Sequence, residues 1–163
     1  MTGVQTCALP ICDKLSLEIK KYRQKRSIDA NAYYWVLVTK LARVLETSNA
    51  EIHNILLSRY GFPEIIDGQL MRLSLPESEE TEKRVKSAEE YHLKATTQVI
   101  SGKDGKSYRT YILMRGSHGY NTEEMARLIN GLITECKDAG FTDAEIATPN
   151  EKMQLKERYG IEL

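Results

Sequence analysis

The 163-residue sequence holds only three cysteines and no Cys-x-x-Cys pair, so neither a disulfide scaffold nor a thiolate zinc site is expected. It has no surplus of either charge. Its 23 basic and 23 acidic side chains cancel, which excludes a histone-like blanket of positive charge but leaves room for a local basic patch. No stretch comes near the ~20 apolar residues needed to span a bilayer, so no membrane partner is expected. The three histidines, His53, His92 and His118, are scattered without ligand spacing, and no Ser-His-Asp or Cys-His order stands out. The carboxylates gather in one solvated run rather than converging. The expectation is no metal, no cofactor and no enzymatic activity. What is present suits one domain of a reducing compartment, with 41% hydrophobic and 28% charged residues.

Residues 1–11, MTGVQTCALPI, carry no charge and no periodicity, and Thr2, Gly3, Gln5, Thr6 and Pro10 interrupt any signal-peptide core. The string reads as the translation of a short-read sequencing adapter. The expected domain is then residues 12–163, truncated at its N-terminus. Cys136 is the one thiol left to interpret, because Cys7 and Cys12 fall in or beside that segment.

Lys14 to Lys21 alternates apolar Leu15, Leu17 and Ile19 with polar residues, the period of a half-buried strand. A basic link from Lys20 to Arg26 leads into a helix expected over Ile28 to Glu46. Its apolar stripe is Ile28, Ala32, Trp35, Val38, Leu41, Ala42 and Leu45, with Ser27 as N-cap and Asp29 in the first turn. A second helix opens on a Ser48-x-x-Glu51 capping box and stops at Gly61, burying Ile52, Ile55, Leu56 and Tyr60. Gln69 to Leu75 reads as a strand, imperfect at Leu70-Met71. The acidic stretch Glu77 to Glu90 reads as an exposed helix or a mobile connection. Tyr91 to Ser101 and Ser107 to Arg115 flank Gly102–Lys106 as a β-hairpin. A long helix over Thr122 to Ala139 follows an Asn121-x-x-Glu124 cap, with Met125, Leu128, Ile129, Leu132, Ile133 and Cys136 as its stripe. A short terminal helix starts at Thr148-Pro149. The order predicts an α+β fold, a small antiparallel sheet packed against several helices.

Three segments are candidates for chemistry. Lys20, Lys21, Arg23, Lys25 and Arg26 surround Tyr22, which suits phosphate contacts with one base-stacking ring, or equally a solubilising link. Asn31 and Arg26 beside exposed Tyr33 and Tyr34 suit a nucleic-acid or dimer surface, with Trp35 filling core. Arg115-Gly116-Ser117-His118-Gly119 ends a strand and opens a helix, so it is either a phosphate-holding loop, with Arg115, Ser117 and His118 contributing, or a plain β-to-α turn.

The run Arg26-Ser27-Ile28-Asp29-Ala30-Asn31-x-x-x-Trp35 resembles the R-S-[LI]-D-x-N-x-x-x-W signature of the NinB (Orf) family of lambdoid phage recombination proteins. Glu124-Met125-Ala126-Arg127-Leu128-Ile129 agrees more loosely with that family's C-terminal helix, and Ala30 stands where the lambdoid members have Gln. The likeness covers roughly residues 20–61 and 115–160. It implies a NinB-like fold and a DNA recombination mediator in the cytoplasm of a bacterial host. Such a protein binds single-stranded DNA as a homodimer, contacts the host single-strand-binding protein and helps load a phage annealing protein or recombinase. Arg26, Ser27, Asp29, Asn31 and Trp35 are the motif positions carried over. The alternatives are a phage nuclease or nuclease accessory using the acids and His118, and a protein-interaction module of phage replication.

Overall fold

The computed structural model describes residues 29–163. The segment 1–11, the cysteines Cys7 and Cys12, the expected strand Lys14–Lys21 and the basic positions Lys20, Lys21, Tyr22, Arg23, Lys25, Arg26 and Ser27 lie outside the described residues. Among the described residues, six helices and two small antiparallel sheets make an α+β fold.

Helix α1 (Ala30–Val44) is capped by Asp29, not by Ser27: the Asp29 backbone is extended and its carboxylate accepts from the Asn31 and Ala32 amides at 3.0 and 3.3 Å. The stripe is rotated from the expected phase. Tyr33, Tyr34, Leu37, Val38, Leu41 and Ala42 are buried, while Ala32 and Leu45 are exposed and Trp35 is half-buried. The two tyrosines expected at the surface therefore belong to the core, and the tryptophan expected in the core packs half-buried against its edge. The large rings of Tyr33 and Tyr34 supply more area to bury than Ala32 does. Leu45 is the C-cap, where the chain leaves helical geometry and its side chain leaves the stripe.

Helix α2 (Asn49–Tyr60) shows only half of the expected capping box. Ser48 accepts from the Glu51 amide at 3.1 Å, but the Glu51 carboxylate takes the Thr47 hydroxyl at 2.6 Å instead of reaching back to the cap. Its buried face adds His53, Asn54 and Leu57 to Ile52 and Leu56, leaving Ile55 and Tyr60 half-buried.

The strand expected at Gln69–Leu75 breaks at Met71. A hairpin of β1 (Ile65–Ile66) and β2 (Gln69–Leu70) turns at Asp67-Gly68, both with positive φ, and β3 (Arg72–Pro76) then begins. The acidic stretch forms α3 (Glu79–Lys86), exposed apart from Thr81 and Val85. The expected long hairpin is β4 (His92–Ser101) and β5 (Ser107–Met114), in a sheet of order β3-β5-β4 with a bulge between Ala95 and Val99.

Helix α4 (Thr122–Asp138) carries the full Asn121–Glu124 capping box and buries every residue of its expected stripe. A short α5 (Asp143–Ile146), not anticipated, precedes α6 (Pro149–Tyr159) with its Thr148–Glu151 box and Pro149 in the first turn. The main core lies between α1, α2 and α4, closed by Ile146 and Leu155. Val85, Leu93 and Tyr111 form a smaller cluster under α3 and the sheet. Each fully buried leucine or isoleucine stabilises by roughly 1.5–3 kcal/mol.

Candidate functional site

The histidines that look scattered in the sequence converge where α1, α2 and β4 meet. His53 on α2 is buried, and its Nδ1 lies 2.7 Å from the Tyr34 hydroxyl on α1. Its ring packs on Trp35 at 4.7 Å between centroids and meets His92 of β4 edge-on at 4.8 Å. His92 Nδ1 is 2.6 Å from Asn54 Oδ1. Both hydrogens of the Asn54 amide are spent on the carbonyls of Lys86 and Ala88, each at 2.8 Å. Asn54 Oδ1 can only accept, so neutral His92 carries its proton on Nδ1 and leaves Nε2 bare. His118, in the 3₁₀ turn Ser117–Gly119, lies near His92. A β-carbon on Gly116 would sit 2.8 Å from His118 Nδ1 and 3.7 Å from His92 Nε2.

This packing sets the electrostatics. Burial, reinforced by neighbouring His92, holds the His53 pKa down at about 4. Burial and the proximity of His118 also lower that of His92. Burial pushes the Tyr34 phenol far above its ordinary range, so it remains a neutral hydrogen-bonding partner. Trp35, His53 and His92, with Asn49, Glu89 and two alanines, line a cavity of about 260 Å³. Among the described residues, no group of three His, Cys, Asp or Glu lies close enough together to hold a metal ion.

The other expected site residues separate. Asn31 is exposed, on the first turn of α1. Ser117 is buried. Gly116–Gly119 forms a tight turn, and Asn121 takes the N-cap of α4. Arg115 is not a free phosphate ligand: its Nη2 is held by the Glu124 carboxylate, and its guanidinium stacks over Tyr120 at 5.1 Å. Arg127, which the sequence did not single out, lies 5.0 Å over the Phe62 ring.

A larger cavity, about 800 Å³, opens between α2, α3 and the sheet. Its cations are already matched, Arg59 with Glu135, Lys86 with Glu82 and Arg109 with Glu77, so it offers an anionic ligand little. The ring-lined cavity around Trp35 is the better candidate because it pairs aromatic walls with polar groups that have no partner among the described residues. His53 and Asn54 were missed by sequence reasoning. Their one local signal is position: on a helix opened at Ser48, they share the inward face with Ile52, Leu56 and Leu57.

No protein-family model, no curated protein and no solved structure matches this chain. Among the described residues, no helix is long and apolar enough to cross a membrane.

Proposed function

We propose that the protein is a phage recombination mediator that binds single-stranded DNA without cleaving it, using a stacking surface at Trp35 and the basic segment Lys20–Arg26. The observation that carries this is the placement of Trp35. It stands in the motif that resembles the NinB family, and from its half-buried place at the edge of the main core it lines an open cavity beside two further rings. Aromatic walls of this kind stack bases whatever their sequence, and each stacked base is worth ~1–3 kcal/mol. The likeness extends the proposal to a homodimer in the bacterial host cytoplasm that contacts the single-strand-binding protein and helps load an annealing protein or recombinase.

The test is a gel-shift series with single- and double-stranded DNA at several salt concentrations. Single-stranded DNA should be retarded with a steep salt dependence. Replacing Lys21, Arg23 and Arg26 together with alanine should flatten the slope of log affinity against log salt by roughly 2. An unchanged slope removes the basic segment from the proposal. Failure to retard any DNA at low salt, alongside capture of a replication protein, would favour an interaction module.

One observation favours a second reading, a nuclease. His92 presents a bare Nε2 oriented by Asn54, the arrangement of a general base. Cleavage of labelled DNA that is lost in His92→Ala would select it.

A further inference from the structure

The cavity beside Trp35 is walled mainly by apolar surface, and the polar side chains at its edge have a hydrogen-bonding capacity that can be counted. Thr39 donates its hydroxyl to the Trp35 carbonyl at 2.9 Å and accepts from Asn49 Nδ2 at 3.1 Å, which fixes the Asn49 amide and leaves its Oδ1 without a partner among the described residues. His92 Nε2 is bare because Nδ1–H serves Asn54. Glu89 follows the carbonyl of Ala88 that anchors Asn54, and among the described residues its carboxylate has neither an ion pair nor a hydrogen bond. Among these edge groups acceptors outnumber donors, and the two Glu89 oxygens lie side by side on one planar group.

That pattern has a chemical complement among the DNA bases. A carboxylate accepts two parallel N–H bonds from a donor pair on one edge. Guanine alone presents such a pair, N1–H beside the 2-amino group. Adenine and cytosine offer a single amino group on that edge, and thymine places its one N–H between two carbonyls that a carboxylate repels. The cavity, at about 260 Å³, is large enough in volume for a purine and is lined by the Trp35, His53 and His92 rings. Bases that leave the stack are read in this way, by stacking together with hydrogen bonds to the Watson–Crick edge.

We infer that this cavity is a guanine-selective base pocket, with Trp35 stacking the base and Glu89 reading its donor edge. The inference rests on the single-strand binding proposed above. Glu89 is a specificity residue here, because it supplies discrimination while stacking and phosphate contacts supply most of the affinity.

The experiment compares three short strands of equal length and charge by fluorescence anisotropy at one salt concentration. One is all thymidine, one carries spaced guanines, and one carries hypoxanthine at the same places. Hypoxanthine keeps the purine stack and N1–H but lacks the 2-amino group. The guanine strand should bind about tenfold more tightly than the other two, the scale of one good bidentate contact. Glu89→Gln, an exposed change that replaces one acceptor by a donor, should bring the guanine strand to the hypoxanthine level and leave the salt slope unchanged. Equal binding of all three strands with a steep salt slope would overturn the guanine pocket while leaving single-strand binding intact. A guanine preference that survives Glu89→Gln would also overturn it, because stacking alone would then account for the preference. Competition by free deoxyguanosine as strong as that of the strand would reject the strand as ligand. If no strand binds even at low salt, the pocket and the proposed function fall together.

Discussion

The Tyr34 hydroxyl meets His53 Nδ1 at 2.7 Å across the α1–α2 interface, a hydrogen bond between two buried groups that both stay neutral. A protonated His53 would have to give up that neutrality beside the edge of His92, so the fold holds the proton off until about pH 4.

Stability should consequently fall with acid. An unfolded histidine takes up a proton near pH 6.5, while folded His53 resists until about pH 4, so between those values the unfolded state binds more protons. Stability is therefore fully present above about pH 6.5 and is lost progressively as the pH falls towards 4. His53 alone contributes up to about 3 kcal/mol, and His92, lowered in the same direction, adds to the slope. Urea unfolding at steps across this range checks it, and a flat profile would show that neither ring is held neutral.

Asn54 ties α2 to the end of α3 and to β4 through three hydrogen bonds. Asn54→Leu should cost roughly 2–4 kcal/mol, because it strands two carbonyls and the His92 N–H. It should also free the His92 tautomer. Denaturant midpoints give the first effect, and the His92 ring-nitrogen chemical shifts give the second.

Gly131 lies where α4 crosses α2, and a β-carbon there would overlap the Tyr60 ring. Helix propensity alone favours alanine by up to ~1 kcal/mol. Overpacking costs ~1–3 kcal/mol and should win, since Tyr60 is also fixed by its hydrogen bond to Glu135 at 2.8 Å. Thermal unfolding of Gly131→Ala should give a lower midpoint than the parent.

Arg115→Gln should leave the salt slope of DNA binding unchanged, because the guanidinium is already neutralised by Glu124. Its effect should appear instead as a loss of stability around the α4 N-terminus, where Glu124 completes the capping box. A slope reduced by ~0.7 would show that Arg115 releases Glu124 and takes a phosphate.

Trp35 is the sole tryptophan, so its emission reports directly on the cavity. Acrylamide should quench it in the free protein and quench it less once single-stranded DNA is bound. Trp35→Ala should weaken binding by roughly 1–3 kcal/mol. Leu37→Ala, fully buried, should cost ~2–5 kcal/mol of stability and leave the affinity of the folded protein unchanged.

The sequence by itself determined those elements whose causes are local. Helix caps at Ser48, Asn121 and Thr148 act over three residues, the α4 stripe is periodic enough to have one phase, and the long hairpin is marked by its glycine-rich turn. Asp67-Gly68 carried an equally local hairpin signal for β1 and β2. Tertiary structure decided the rest. Helix α1 has apolar residues on more than one face, so only its packing against α2 and α4 chose Tyr33 and Tyr34 for the core and left Trp35 at a cavity. His53, His92 and His118 are spaced far beyond any local motif and meet only because α2, β4 and the turn after β5 converge. The charge of Arg115 was legible, but its partner was not. Whether a cation is free or neutralised depends on which carboxylate the fold brings within reach.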